Sequence, residues 1–330
     1  MYFFLDVETM KKSYVLAFAA FFGMCFQAKS ESFEMIKYGD FENWVTRNIS
    51  ESAIIGGNNK TLYEIAPNAT INGNVEYSNQ GGSPWATSNI MAKVMGITKG
   101  SNAVFPDKRD DEGGRCCKLT TMMEHCKAIG IINVDVVVAG SIFLGEFLEP
   151  VKSTKDPYSK MEMGVPFTKR PKALRFDYKL HMPEKSSRIY SSGFGKKKEI
   201  PGHDNAEVYI ILQRRWEDAN GNLYAKRVGT GREHFGASTN GWVNNHDLEV
   251  WYGDITKRAD YKDFMGLIPE EKSYYAHNSK GKMVPVVEVG WDSEDATPTH
   301  MLVMASSGSG TAYIGTIGLT LWIDNIGLVY

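Results

Sequence analysis

The sequence has 330 residues, of which 42% are hydrophobic, 12% are aromatic and 23% are charged, and its formal net charge is −2. Acidic and basic residues are spread along the chain, and the basic run at residues 196–198 is short, which excludes nucleic acid as the expected partner. Gly, Asn, Thr, Ser, Tyr and Trp are frequent, and short apolar alternations recur between turn signals. This pattern predicts an all-β protein.

The N-terminal segment has the pattern of a secretory signal peptide, because Lys11 and Lys12 precede an apolar run at residues 14–26. The run of about 13 residues is shorter than the roughly 20 that a membrane-spanning helix needs. We therefore expect residues 1–28 to be removed, leaving no integral membrane segment.

Met10 is a more natural start than Met1, because it places the two lysines directly before the apolar run. Cleavage after Ala28 puts Phe26 where a small residue is preferred, so lipidation of Cys25 is the competing outcome. Either route predicts export to the periplasm, the outer-membrane surface or the medium. The remaining chain, residues 33–330, predicts a single elaborated domain.

Three cysteines remain after the signal segment: Cys116, Cys117 and Cys126. An odd number in an oxidising compartment predicts one disulfide and one free thiol. Adjacent cysteines rarely bridge each other, so the expected disulfide joins Cys126 to either Cys116 or Cys117.

Several segments predict strands. In residues 173–180, Leu174, Phe176, Tyr178 and Leu180 share one face, and the polar residues share the other. Residues 208–212 repeat the alternation, whereas residues 131–148 and 301–305 are continuously apolar, as in strands that are covered on both faces. The C-terminal alternation at residues 319–330 places Trp322 and Asp324 on one face, with Asn325 or Gly327 as the site of a bulge. Long helices are not predicted, although residues 261–267 could form a short one.

Four segments resemble a secreted family of Bacteroidetes that is called the putative carbohydrate metabolism domain and is often labelled putative glycoside hydrolase. They are residues 39–44 (GDFENW), 84–89 (PWATSN), 139–147 (AGSIFLGEF) with 164–171 (GVPFTKRP) and 177–179 (DYK), and 306–307 (SS) with 321–330 (LWIDNIGLVY). The resemblance implies a jelly-roll β-sandwich similar to carbohydrate-binding modules, with long loop insertions. Pro84 departs from the family pattern, which has an aromatic residue there.

The same resemblance implies a structural Ca²⁺ ion. In related jelly-roll modules the opening strand approaches an acidic residue near the last strand, and the corresponding residues here are Glu42 and Asp324. Carboxylate and carbonyl oxygens are the ligands that Ca²⁺ prefers. No catalytic cofactor is expected.

A carbohydrate-binding site needs an aromatic surface for the C–H face of a sugar, together with fixed hydrogen-bonding groups for its hydroxyls. Trp85 with Asn89 matches this description, since the preceding Gly-Gly-Ser-Pro places Trp85 at a loop edge. Trp242, which lies among asparagines, is an alternative. Either tryptophan would be a core residue if it were buried.

Arg175, Asp177 and Lys179 lie two residues apart on one face of a predicted strand, at a spacing of about 7 Å. They are candidates for contacts with sugar hydroxyls, or they form an ordinary ion-pair ladder. Arg170 is a further candidate contact, although an arginine before proline often anchors a loop.

Hydrolysis of a glycosidic bond needs two suitably spaced carboxylates. The candidate acidic residues are Glu146, Asp177, Asp204, Glu207, Glu249, Asp254 and Glu288. Glu146 and Asp177 lie in family-like segments and are therefore the first pair to test. The expected function is poly- or oligosaccharide binding, and the alternatives are glycoside hydrolysis and a structural or adhesive role at the cell surface.

Overall fold

Short apolar alternations do form strands along the chain. A computed structural model describes residues 31–94, 96–128, 132–152, 157–184, 187–193, 196–309 and 312–330, and these are β-strands joined by loops and short 3₁₀ turns. The prediction of an all-β fold is confirmed. The predicted signal segment and Cys25 lie outside the described residues.

In chain order the strands are β1 (Phe33–Met35), β2 (Trp44–Ser50), β3 (Asn59–Ile65), β4 (Ala69–Asn72), β5 (Trp85–Thr87), β6 (Ile90–Val94), β7 (Ile97–Ser101), β8 (Val104–Lys108), β9 (Arg115–Thr120), β10 (Met122–Ala128), β11 (Ile132–Val138), β12 (Ser141–Phe147), β13 (Met161–Met163), β14 (Val165–Pro166), β15 (Ala173–His181), β16 (Ser187–Tyr190), β17 (Lys198–Pro201), β18 (Ala206–Glu217), β19 (Leu223–Phe235), β20 (Val243–Glu249), β21 (Trp251–Tyr252), β22 (Tyr275–His277), β23 (Met283–Trp291), β24 (His300–Ser306), β25 (Ile314–Gly315) and β26 (Thr320–Val329). The 3₁₀ turns are Ala53–Ile55, Pro157–Lys160, Asp263–Met265 and Glu270–Lys272.

Two large sheets pack face to face. Sheet A has the order β20-β15-β26-β9-β8, and β1 also pairs with β26. Sheet B has the order β14-β24-β18-β19-β23-β22-β13-β12-β5, with β21 pairing with β19. Because β12 also pairs with β24, the strands from β24 through β18, β19, β23, β22 and β13 to β12 close into a ring. Smaller sheets are β3-β2-β4, β17-β16-β25, β6-β7 and β10-β11.

The main core lies between the two sheets. Sheet A contributes Leu174, Phe176 and Leu180 from β15, and sheet B contributes Val208 and Ile210 from β18. The other face of β18 carries Tyr209 and Ile211, which join a second buried cluster with Phe143, Met163 and Leu302 inside the ring. Residues 208–212 of β18 are therefore covered on both faces, whereas their alternation predicted a strand with one buried face.

A bulge interrupts the pairing of β15 with β26. The register passes from Arg175 opposite Gly327 to Asp177 opposite Asp324, so β26 contains one extra residue. Asn325 has a positive φ of 52°, a conformation that Asn tolerates better than most residues. Of the two sites predicted for a bulge, Asn325 and Gly327, the structure uses Asn325.

Two expectations are wrong. The predicted disulfide does not form: Cys116 and Cys117 are buried thiols on β9, and Cys126 is a half-buried thiol on β10. The expected helix at residues 261–267 is only the three-residue turn Asp263–Met265, because Gly266 and Pro269 follow it at once. Residues Phe33–Tyr330 form one compact unit. A search of the described residues for a helix that could span a membrane finds none.

Candidate functional site

A cavity of about 490 Å³ lies on the face of β18 and β24 that is opposite the main core. Tyr209 and Met304 form part of its wall, and the segment that contains both turns Asp263–Met265 and Glu270–Lys272 forms another part. This volume lies within the range of roughly 300 to 1,000 Å³ that is typical of ligand pockets. The polar and aromatic residues of its lining include Ser141, Tyr158, Lys160, Glu207, Arg232, Phe264, Lys272, Tyr274 and Ser306. We call it the Glu207 cavity.

Strand register places four polar residues in one row beside the cavity. Glu207 lies opposite His234 on β19 and opposite Ser306 on β24, and Ser306 lies opposite Ser141 on β12. The hydroxyls of Ser141 and Ser306 are 2.7 Å apart and share a hydrogen bond. Alternation along β18 causes this placement, because Val208 and Ile210 turn into the main core while Glu207 turns to the opposite face.

Glu207 is buried, and Arg232 compensates the charge of its carboxylate. Its Oε1 accepts hydrogen bonds from Nε of Arg232 at 2.6 Å and from Nε2 of His234 at 2.9 Å. Burial alone would raise the pKa of the Glu207 carboxyl, but the charge of Arg232 and the hydrogen bonds outweigh burial and hold the pKa below its usual value. Glu207 is therefore ionised at neutral pH.

Glu207 and Arg232 each keep hydrogen-bonding atoms that are available to a ligand. Both bonds to Glu207 go to Oε1, and none of the described residues donates to its Oε2. Arg232 uses only Nε for Glu207, and its Nη atoms have no acceptor in the described part of the chain. The pair therefore presents one carboxylate oxygen and a guanidinium edge to a ligand.

Aromatic rings form much of the remaining wall. Tyr209 Oη donates to Tyr274 Oη at 2.9 Å, and Tyr158 packs edge-on against Tyr274 at 5.9 Å between ring centroids. Burial raises the pKa of Tyr274 to about 12, so its hydroxyl stays protonated. The Phe264 ring stacks on His234 with centroids 3.7 Å apart and planes at 12°. Apolar ring faces and fixed polar groups are thus combined in one concavity.

Trp85 and Asn89 do not form a ligand site, which corrects the prediction from sequence. Trp85 is only 1% exposed, belongs to β5 rather than a loop edge, and donates its Nε1–H to the carbonyl of Lys37. Asn89 is 2% exposed. Its Nδ2 donates to the carbonyl of Val104, and its Oδ1 accepts from the backbone amide of Ala103. Both residues are therefore structural.

Sheet A brings several of the other predicted residues together around Arg109. This buried arginine donates from Nη1 to Asp177 and to Asp324, each at 2.8 Å, and from Nη2 to Asn244. Its guanidinium lies 4.4 Å from the centroid of the Trp242 ring. Asp177 also accepts from the backbone amide of Asn245 and from the side chain of Asn325. We call this group the Arg109 cluster.

Lys179 and Arg175 occupy the same face of sheet A as ion pairs. Lys179 Nζ bonds Asp110 at 2.8 Å and lies 4.8 Å from the ring centroid of Trp322. Arg175 forms a two-pronged bond with Asp247 on the neighbouring strand. Arg175 and Lys179 are thus paired with carboxylates of the protein, which matches the alternative of an ordinary ion-pair ladder.

Arg170 anchors a loop. Its guanidinium donates to the backbone carbonyls of Ala296 and Glu294 and stacks over the Tyr252 ring at 3.9 Å. The bonds fix the segment before β24 against the segment before β15. This is the loop-anchoring role that an arginine before proline often has.

The residues predicted to hold Ca²⁺ do not fit the ion. Asp324 accepts from Arg109 through Oδ2 and from the amide of Asn325 through Oδ1. Glu42 accepts from the amide of Arg115. A guanidinium thus neutralises Asp324, and no group of three or more His, Cys, Asp or Glu among the described residues is arranged to bind a metal.

Glu146 and Asp177 are not brought together as a carboxylate pair. Glu146 lies on β12 of sheet B, opposite Glu162, whereas Asp177 lies on β15 of sheet A and is held by Arg109. Of the seven acidic residues that the sequence offered as candidates for hydrolysis, Glu207 is the one that lines the cavity. Sequence reasoning did not single it out, although the pattern Glu207-x-Tyr209-x-Ile211, opposite an apolar face, carries the signal.

Comparisons with known proteins identify the kind of domain. The sequence matches the family described as "Putative carbohydrate metabolism domain" over residues 40–329. It is similar to two solved structures, each titled a putative glycoside hydrolase. The structure from Bacteroides thetaiotaomicron has 15% sequence identity and a TM-score of 0.43. The match covers 82% of this chain and 75% of the chain of that structure. The structure from Bacteroides vulgatus has 14% sequence identity and a TM-score of 0.46. The match covers 90% of this chain and 94% of the chain of that structure. Among curated proteins, none matches the sequence.

Proposed function

Because the chain belongs to the putative carbohydrate metabolism domain family, and so has a carbohydrate-related role, we propose that it binds a saccharide in the Glu207 cavity without cleaving it. The observation that carries the proposal is the juxtaposition of the Glu207–Arg232 pair with the aromatic walls of Tyr158, Phe264 and Tyr274. Sugar hydroxyls need fixed hydrogen-bonding groups, and the apolar face of a pyranose packs on aromatic rings.

The state of Glu207 favours binding over hydrolysis. A general acid for glycoside hydrolysis needs a raised pKa so that it carries a proton at neutral pH. Glu207 has a lowered pKa, since Arg232 and His234 hold it as a carboxylate. The ionised group is instead suited to accept hydrogen bonds from sugar hydroxyls through Oε2.

The experiment is a glycan-array screen with the mature protein, followed by calorimetry on each hit. Phe264→Ala removes an aromatic wall at a half-buried position, and we expect it to weaken binding roughly tenfold. Trp216→Ala is the matched control, because Trp216 is 41% exposed and does not line the cavity. Equal affinity for the two variants would place the saccharide elsewhere.

Turnover is tested on the same hits. Each hit is incubated with the protein and with Glu207→Gln, and the products are separated by chromatography. We expect no release of shorter products by either protein, and a weaker affinity for Glu207→Gln. Products that appear with the native protein and disappear with Glu207→Gln would make the chain a hydrolase. Silence on every glycan, combined with concentration-dependent assembly, would favour a structural or adhesive role.

We also propose that the protein is exported, as the sequence of residues 1–28 indicates. Expression of the full chain in a Gram-negative host, followed by fractionation and N-terminal sequencing, tests this proposal. A mature chain that begins at Lys29 supports cleavage. A chain that begins at a lipidated Cys25 supports membrane anchoring, and an unprocessed cytoplasmic chain contradicts export.

A further inference from the structure

Two lysines line the Glu207 cavity without a counter-charge. Lys160 ends the turn Pro157–Lys160, and Lys272 ends the turn Glu270–Lys272. Both are half-buried, and no carboxylate among the described residues lies within ion-pair distance of either amine. By contrast, Lys60 and Lys179 are each bonded to an acidic residue. Lys160 and Lys272 each line the cavity and have no carboxylate partner among the described residues, so their positive charge is available to an anionic ligand.

Arg232 adds a third cation to the same cavity. Its Nε is bonded to Glu207, while its Nη atoms have no acceptor in the described part of the chain. A guanidinium edge of this kind matches a carboxylate in geometry, because two parallel N–H groups face two oxygens. Arg232 therefore offers directed hydrogen bonds where the lysines offer point charges.

The charge balance of the lining is positive. The ionisable lining residues with fixed charge are Lys160, Lys272, Arg232, Glu207 and Asp263. Glu207 is already neutralised by Arg232, and the exposed Asp263 lies in the turn Asp263–Met265. Two uncompensated lysines therefore outnumber one solvated carboxylate, and a concave site with this excess attracts anions.

We infer that the saccharide bound in the Glu207 cavity is acidic and carries a carboxylate, as a uronic acid does, with Lys160 and Lys272 as its counter-charges. This inference rests on the proposed function, since it assigns the chemical class of the same ligand. The aromatic walls hold the sugar ring, Glu207 accepts from its hydroxyls, and the lysines with the free edge of Arg232 hold the acidic group. Discrimination against neutral sugars follows because a neutral ligand offers neither lysine a counter-charge.

The test uses uronate oligosaccharides of several sugars, each beside its carboxyl-reduced counterpart, which keeps the rings and linkages but lacks the charge. Sulfated oligosaccharides form a third group. Affinities are measured by calorimetry at low and high salt with the native protein, Lys160→Ala and Lys272→Ala. Lys282→Ala is the control, because Lys282 is exposed and does not line the cavity.

We expect a uronate oligosaccharide to bind at least tenfold more tightly than its reduced counterpart, with a roughly tenfold loss in each cavity variant and no change in Lys282→Ala. High salt should weaken the binding. Equal binding of the reduced counterpart, still weakened by Phe264→Ala, would overturn the acidic class and leave the saccharide site intact. Preference for sulfated sugars alone would overturn the carboxylate assignment. Binding of no saccharide would overturn both the inference and the proposed function.

Discussion

Asp177 and Asp324 lie opposite each other on neighbouring strands of sheet A and share a single guanidinium nitrogen, Nη1 of Arg109, at 2.8 Å each. The bulge at Asn325 produces this relationship, because it brings the two aspartates into register. Both carboxylates are almost fully buried, at 5% and 4% exposure. The single positive charge of the arginine therefore offsets part of the repulsion between the two carboxylates.

Removal of this arginine should destabilise the protein strongly. Arg109→Ala leaves two facing carboxylates without a cation, and we expect a loss of about 3 to 5 kcal/mol in the free energy of unfolding. Urea denaturation measures the loss. Lys169→Ala, which breaks an exposed pair with Glu34, should cost only about 1 kcal/mol or less. Equal losses for the two variants would contradict the structural role of Arg109.

Burial of the Glu64 carboxyl should make stability depend on pH. Arg47 is shared by Glu64 and Glu149, and burial raises the pKa of Glu64 to about 8. The folded protein therefore holds a proton on Glu64 that the unfolded chain loses near the ordinary glutamate pKa of 4.5. This contribution to stability is fully present below the unfolded pKa and is lost as pH rises through about 8.

The comparison that isolates this contribution is native protein against Glu64→Gln, in urea titrations between about pH 6 and about pH 9. The native free energy of unfolding should fall with rising pH by more than that of Glu64→Gln, since glutamine stays neutral. Glu271→Gln, at an exposed position, should follow the native curve. Parallel curves for native protein and Glu64→Gln would contradict the raised pKa.

Trp85→Ala should impair folding rather than recognition. The indole is 1% exposed, packs against Phe41 and bonds the carbonyl of Lys37, so its loss leaves a cavity and an unpaired acceptor. We expect a loss of about 3 to 5 kcal/mol in urea denaturation. The remaining folded protein should bind saccharide with native affinity. A selective loss of affinity at unchanged stability would restore Trp85 as a ligand contact.

Thiol reactivity should distinguish three free cysteines from a disulfide. Burial raises the pKa of Cys116 to about 12 and raises the pKa of Cys117 well above its usual value, so both thiols should resist a thiol reagent in the folded protein. Half-buried Cys126 should react first, and all three should react after denaturation. Detection of one thiol under denaturing, non-reducing conditions would show that the disulfide expected from sequence forms.

Local pattern predicted the strands of sheet A well. In β15 and β26 the alternation of apolar and polar residues determines which face turns to the core, because a strand has a period of two. Even the bulge could be located, since Asn325 tolerates a positive φ. The environment of Asp177 could not be predicted, because its partner Arg109 comes from a loop 68 residues earlier in the chain.

The Glu207 cavity was beyond sequence reasoning for the same physical reason. Its walls come from segments near residues 158, 207, 232 and 272, which are far apart in the sequence and meet only in the folded protein. Trp85 was misplaced because Gly-Gly-Ser-Pro signals a turn, while burial of the next residue depends on packing against Phe41. Turn chemistry fixes backbone direction and leaves the depth of a side chain undetermined.

Closure of the ring in sheet B means that backbone hydrogen bonds, rather than side chains, hold one side of the cavity in shape. Such a wall is preorganised, so a ligand loses little affinity to ordering the protein. Phe264 and Lys272 belong instead to the segment with the turns Asp263–Met265 and Glu270–Lys272, outside the ring strands. Substitutions in that segment can retune which ligand is accepted without rebuilding the scaffold, which separates the evolution of specificity from the maintenance of the fold.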